Sequence, residues 1–264
     1  MRYLELAALA LTMILLAAHR VQAQANVIQQ NSSSWQPGVV QQNSVSVNGE
    51  GSSVTISGRS ISVDTSTTGG RVIGDGQPAS ENRPIGPVAA IHSDGAFALT
   101  VMSGPAPKLI IEADKNLLPI IKTTVSNGRL DIYADRSYSV DGRIKITVAS
   151  PSISEISASG SNHIEAAGFA GGPLSVALNG SNTAIVAGRA ATLTIVLSGA
   201  NHLSAQGLAA SSARATLNGS GDATVDARDA IVAQINGAGA ITVYGNPKAR
   251  STQVNGAGKI SFVQ

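Results

Sequence analysis

The chain has 264 residues, room for one or two domains, and its 43% hydrophobic content comes with only 3% aromatic and 13% charged residues beside 28 glycines. Small residues, aliphatics and turn formers in those proportions suit a thin-cored, repetitive β fold. The absence of cysteine excludes disulfides, thiolate metal sites and a lipid-anchoring cysteine, and a formal net charge of +2 makes no electrostatic case for nucleic acid or an anionic membrane.

Residues 1–23 read as a secretory signal peptide. Arg2 supplies the positive start, residues 6–18 an apolar run, and Val21-Gln22-Ala23 a small-x-small cleavage site, so the mature chain is expected to begin at Gln24. The run falls short of the ~20 residues a membrane span needs, and His19 and Arg20 end it. No transmembrane segment is expected in the mature chain. Residues 24–87 read as a low-complexity leader and linker. Its first part, 24–45, is rich in Gln, Asn and Ser, the composition of an unstructured leader. Within it, Val45, Val47, Val54, Ile56, Ile61 and Val63 alternate with polar residues and predict two or three short strands. Gly69, Gly70, Gly74, Gly76, Pro78, Pro84 and Pro87 mark the remainder as linker.

Order is expected to resume near Val88, in a domain running over 88–264. Strands are predicted at 97–101, 109–112, 120–125, 130–133 and 144–148. A turn or short helix falls at 114–119, and Asn127-Gly128 is a hairpin-type turn. From residue 159 onward one phrase recurs six times around Gly160, Gly180, Gly199, Gly219, Gly237 and Gly256, at intervals of 18 to 20 residues. That period is too short for helical-hairpin repeats and fits one turn of a β-solenoid. Aliphatics stand two, four and six residues before the glycine (Leu197, Ile195, Leu193) and four and six after it (Leu203, Ala205), with polar residues between. Period-two alternation at a fixed offset stacks like on like and predicts a continuous inner core. The glycines are corner residues. The row before them, Ser159, Asn179, Ser198, Asn218, Asn236 and Asn255, could form a hydrogen-bonded ladder. A second row, Gly168, Gly188, Gly207 and Gly245, marks another corner. Six antiparallel hairpins are the rival architecture, because Asn-Gly is also a hairpin signal. The constant offset favours stacking, and 88–150 is then the atypical N-terminal cap with the first rungs.

The turn Asp114-Lys115-Asn116-Leu117-Leu118-Pro119, the stretches Asn127-Gly128-Arg129-Leu130 and Ile144-Lys145-Ile146-Thr147-Val148, the Ser-Gly-Ser-type ladder and Tyr244-Gly245-Asn246-Pro247 together resemble the GIN domain (the DUF2807 family), the head domain of auto-transporter adhesins. The resemblance covers about residues 88–264. It implies a right-handed parallel β-helix in an exported or cell-envelope protein, and it implies no catalytic residues. The family pattern has Gly-Asp after Ser-Gly-Ser, which only Gly221-Asp222 keeps here. No outer-membrane barrel strands follow the last repeat, so a self-transporting protein is not expected.

Three residues after the corner glycines stand His163, Thr183, His202, Asp222, Ala240 and Lys259. In a stack His202 and Asp222 become neighbours about 4.8 Å apart, the spacing of a metal or acid–base pair. A row of solvated turn residues is the plainer reading. Residues 218–223 are similar to a calcium-binding nonapeptide roll, but that roll needs its aspartate in successive turns. Asp222, Asp226 and Asp229 fall within one turn and are the candidates for a polysaccharide lyase or hydrolase. Gly69 to Gly74 is followed by no helix pattern, so it is no dinucleotide loop.

The expected protein is all-β: an exported periplasmic, surface or secreted β-helix acting as an adhesin-like binding or structural module without catalysis, metal or cofactor. A glycan or envelope protein is the expected partner, and nucleic acid is not. An open C-terminal strand edge predicts a homo-oligomer or edge-on partner binding. The alternative is a polysaccharide-active enzyme.

Overall fold

The computed structural model describes residues 71–263 and the strands Asn26–Val27, Ser46–Gly49, Ser52–Ser57 and Ser60–Asp64. The region read as signal peptide lies outside the described residues, as does the leader apart from Asn26–Val27. The chain divides into two compact units, residues 1–72 and 73–264.

In the first unit the four strands form one antiparallel sheet in chain order. Val47 pairs with Val54 and Ile56 with Ile61, so three strands lie where the alternating pattern of 45–63 predicts two or three.

The second unit is the β-solenoid, of about five turns. Its repeat copies run parallel and in register. Gly160 pairs with Gly180, Gly180 with Gly199, Gly199 with Gly219, and Gly219 with Gly237. Two walls meet at that glycine corner. The first contains Glu155–Gly160 and Leu174–Gly180, then the second halves of Thr183–Gly199, His202–Gly219 and Asp222–Gly237, and ends on Ala249–Asn255. The other contains His163–Ala170, the first halves of the same three long strands, Ala240–Tyr244 and Lys259–Phe262.

The aliphatics read as inward are inside. Leu193, Ile195, Leu197, Leu203 and Ala205 are each at most 1% exposed. Burial of these columns against one another supplies the driving force, since alternation leaves each strand one apolar side. Leu197→Ala is therefore expected to cost roughly 2–5 kcal/mol, while Thr194→Ala, one residue outside the inward set, changes stability by about 0.5 kcal/mol or less. Urea unfolding of both variants checks this, and equal costs would mean that the register is wrong.

The second glycine row departs from the expectation of a column. Gly188 pairs with Phe169 on one side and Leu208 on the other, not with Gly168 and Gly207. These glycines do lie at the register irregularities, between Ala166 and Phe169, Ile185 and Gly188, and Ala205 and Ala209, but they are not aligned with one another from rung to rung. The strands bend through them without interruption, as β-bulges allow.

At the N-terminal end the stacking order is not the chain order. Ala90–Gly95 and Phe97–Ser103 form a rung whose corner, Gly95, pairs with Gly160. The chain then leaves, and the later strands Arg129–Ala134 and Ile144–Ser150 lie parallel on the far side of that rung. The stack ends there on antiparallel strands: Ile121–Ser126 on Arg129–Ala134, Lys108–Asp114 on Ile144–Ser150, and Pro78–Asn82 on Lys108–Asp114. The last of these reaches into the stretch read as linker; its proline stands at the first position of an edge strand, where a missing N–H costs nothing. Asn127 and Gly128 both have positive φ, 51° and 74°, and close the hairpin as the Asn-Gly signal predicts. The 114–119 turn ends in a 3-10 helix, Leu118–Ile120. Arg83 ties this end together. Its guanidinium donates to the Ile121 carbonyl at 2.6 Å, the Leu118 carbonyl at 3.0 Å, Thr123 Oγ1 at 3.1 Å and Glu81 Oε2 at 2.9 Å. The last bond holds the Glu81 carboxyl below its ordinary range.

Candidate functional site

The parallel register turns every outward position into a column, so the candidate surfaces are rows of like-placed side chains spaced about 4.8 Å apart. Three residues after the corner the column runs His163, Thr183, His202, Asp222, Ala240, Lys259, as the repeat predicts. His202 Nδ1 lies 4.0 Å from Asp222 Oδ2, with the side chains 59% and 58% exposed. His163 Nε2 lies 3.6 Å from Glu165 Oε1 on its own strand. Exposed pairs of this kind exchange readily with water and contribute little. Among the described residues no group of three or more His, Asp or Glu side chains is placed to hold a metal ion.

The three carboxylates proposed for a polysaccharide enzyme, Asp222, Asp226 and Asp229, all lie on the strand Asp222–Gly237. Asp222 and Asp226 lie four residues apart on one strand, about 13 Å along an extended chain, beyond the ~5–9.5 Å that glycoside hydrolysis uses. A hollow of about 240 Å³ beside the 151–154 turn is lined by Ile153, Phe169, Pro173 and Leu174 and by three serines, and presents no carboxylate or imidazole.

The first wall carries a different surface. One residue before each corner stand Asn179, Ser198, Asn218, Asn236 and Asn255, and three before it Ala177, Val196, Thr216, Gln234 and Gln253. Those ten positions, spread over five adjacent strands, carry no charge. The ladder expected of this row forms over its last three members. Asn255 Nδ2 donates to Asn236 Oδ1 at 2.9 Å, and Asn236 Nδ2 to Asn218 Oδ1 at 2.8 Å. Gln234 Nε2 adds a third donor to the set at 3.3 Å. Eight of the ten positions thus carry carboxamides or hydroxyls, exposed or half-exposed at the fixed spacing of the rungs, with Ala177 and Val196 as the apolar members.

Two polar arrangements were not legible in advance. Asn162, Asn182 and Asn201, two residues after the corner, are each 1% exposed. They form a ladder inside the solenoid, each Oδ1 accepting from the residue below: Asn182 Oδ1 from the Asn162 N–H at 2.8 Å and Nδ2 at 3.0 Å, and Asn201 Oδ1 from the same two groups of Asn182 at 2.9 Å each. Asn162 Oδ1 in turn accepts from Ser93 Oγ at 3.0 Å and the Phe97 N–H at 3.2 Å. On the outside, His92 Nδ1 meets Ser157 Oγ at 2.9 Å, with Asp131 on the next strand. Asp131 is held by Arg129 Nε at 2.9 Å.

The family described as putative auto-transporter adhesin, head GIN domain, matches residues 89–247. A crystal structure of a putative adhesin from Bacteroides fragilis is similar at 20% identity and a TM-score of 0.60, covering 73% of this chain and all of that one. A putative adhesin from Parabacteroides merdae matches at 20% identity and a TM-score of 0.48, over 74% of this chain and 99% of its own. A putative lipid binding protein from Parabacteroides distasonis matches at 22% and 0.47, over 74% of this chain and all of its own. At these identities the likeness to the Bacteroides protein concerns the fold. No curated protein matches the chain.

Proposed function

The chain belongs to the GIN-domain family of auto-transporter adhesin heads, and on that footing we propose that it is an exported, non-catalytic module of the cell envelope that binds a neutral surface glycan through the flat first wall of its solenoid. The observation that supports this reading most is the uncharged lattice of Asn218, Gln234, Asn236, Gln253 and Asn255. Carboxamides offer both a donor and an acceptor to sugar hydroxyls. Each such bond is weak in water, about 1 kcal/mol net, so useful affinity needs many in register, which a repeating wall supplies. The solenoid fixes their spacing before binding and removes the ordering cost that a loop would meet.

Affinity electrophoresis of the mature chain through gels containing neutral or acidic polysaccharides tests the proposal. Retardation by a neutral polymer is expected, little changed between low and high salt because no ion pair carries it, and reduced several-fold in the combined Asn218→Ala, Asn236→Ala, Asn255→Ala variant. Unchanged retardation in that variant would place binding elsewhere. Release of reducing or unsaturated ends from an acidic polysaccharide, lost in Asp222→Ala, would favour the polysaccharide-active enzyme instead.

A further inference from the structure

The last strand of the first wall, Ala249–Asn255, pairs with Asp222–Gly237 on one side, and among the described residues no strand pairs with its other side. All seven of its residues are exposed. A free backbone edge is a template for an added strand. Its inward positions differ in kind from those beneath. Arg250 sits in register on Ile231, which is 1% exposed, and Val254 on Ile235, which is fully buried, yet Val254 itself is 41% exposed. Arg250 is drawn across the end of the core. Its Cζ lies 4.3 Å over the Phe262 ring, Nε donates to the Pro247 carbonyl at 2.9 Å, and Nη2 donates to Asn246 Oδ1 at 2.6 Å. From residue 230 to 263 the chain holds Lys248, Arg250 and Lys259 and no acidic residue.

We infer that this end of the solenoid is a docking edge for an extended acidic segment of a partner protein, which adds as one more parallel strand. In the register of the stack its carboxylate falls on Arg250, an aliphatic side chain on Val254, and an Asn or Gln on Asn255, whose Oδ1 is the last acceptor of the exposed ladder. Main-chain bonds to the edge supply affinity and the alternating side chains supply selectivity. A charge-assisted bond to a guanidinium already held in place makes the acidic position the discriminating one. A second copy of the chain fits less well, because its own Lys248, Arg250 and Lys259 meet the same three charges. The docking edge shares Gln253 and Asn255 with the proposed glycan lattice, but its discriminating charge, Arg250, lies outside that lattice, so the charge dependence of peptide binding is read separately from glycan binding.

The test uses the isotope-labelled full chain and two blocked peptides, Ala-Glu-Ser-Thr-Gln-Val-Asn and the same peptide with Lys in place of Glu. The Glu peptide is expected to shift amide resonances of 249–255 and 259–262 and to bind at least about tenfold tighter than the Lys peptide at low salt. That ratio is expected to fall toward one at high salt and in Arg250→Gln. Equal binding of the two peptides, no binding of the Glu peptide, or shifts confined to strands other than 249–255 and 259–262 would overturn the inference. So would a concentration-dependent dimer, seen by sedimentation without peptide and abolished by Val254→Lys. If Arg250→Gln unfolds, the peptide charge comparison and its salt dependence on the unaltered chain still decide the matter.

Discussion

Gly199→Ala is expected to destabilise the solenoid by about 4 kcal/mol, from roughly 1–3 kcal/mol of backbone strain and a similar cost of steric overlap. Gly199 has φ of 103°, a region that L side chains rarely occupy. The added methyl would fall on the carbonyl oxygen of Gly180 in the rung beneath. That oxygen also accepts the Ala200 N–H at 2.8 Å, so relief by moving the rungs apart breaks the bond that joins them at the corner. Gly180 and Gly219 stand in the same relation to their own neighbours, so strain at one corner has no softer corner nearby to pass to. Gly207→Ala is the control. Gly207 has no positive φ, and its methyl would meet Ala187 Cβ at 3.4 Å, an ordinary contact. It is expected to lie within about 1 kcal/mol of the parent, on either side, because the loss of unfolded-state freedom offsets slight crowding. Guanidinium unfolding of the two variants gives the answer. Equal costs would mean that neither the positive φ of Gly199 nor the Gly180 carbonyl beneath it constrains the corner.

What could be read from the sequence follows from where the physics repeats. Each copy from Gly160 to Gly237 has a rung above and below, so one offset rule places Leu178, Leu197, Leu217 and Ile235 in the core together. The order of the first rungs was hidden because it is set by a long-range choice. Arg129–Ala134 and Ile144–Ser150 could have followed their predecessors in the stack, yet they lie on the far side of them, and nothing local to either strand distinguishes the two sides. Gly95 escaped notice for the same reason: its partner Gly160 is distant in the chain, and Phe97 stands where the later copies have asparagine or glycine. The irregular second corner was hidden because bulges change the count of residues between rungs without changing their type. The buried asparagines were the subtler omission. Their parity is that of the inward set, two residues after the corner, and parity alone would have placed them inside. Their polarity argued for the surface, and only the coordinated stacking of three amides makes the inner position affordable.

That inner ladder sets the largest single-residue effect expected in the protein. Asn182→Leu is predicted to cost about 4–6 kcal/mol, since it strands several buried hydrogen-bonding groups at roughly 1–3 kcal/mol each. The Asn162 N–H and Nδ2 lose the acceptor that both use, Asn182 Oδ1. The Asn179 carbonyl loses its 2.8 Å donor, and Asn201 Oδ1 loses one of its two. Water cannot replace these partners, because the three asparagines are each 1% exposed. Asn182→Asp separates shape from donation. Its oxygens can still accept from Asn162, but an ionised carboxylate offers no donor to Asn201 Oδ1 and is buried beside it, so the cost at neutral pH is expected to equal or exceed that of leucine. The outer ladder provides the comparison. Asn236→Ala removes the same kinds of bond at 2.8 and 2.9 Å on the surface, where water takes up the freed groups, and is expected to cost about 1 kcal/mol or less. Denaturant unfolding of Asn182→Leu and Asn236→Ala decides between burial and mere pairing as the source of the stabilisation: a difference below about 1 kcal/mol between them would mean that the inner amides are solvated and that the rungs are held by their aliphatic columns alone.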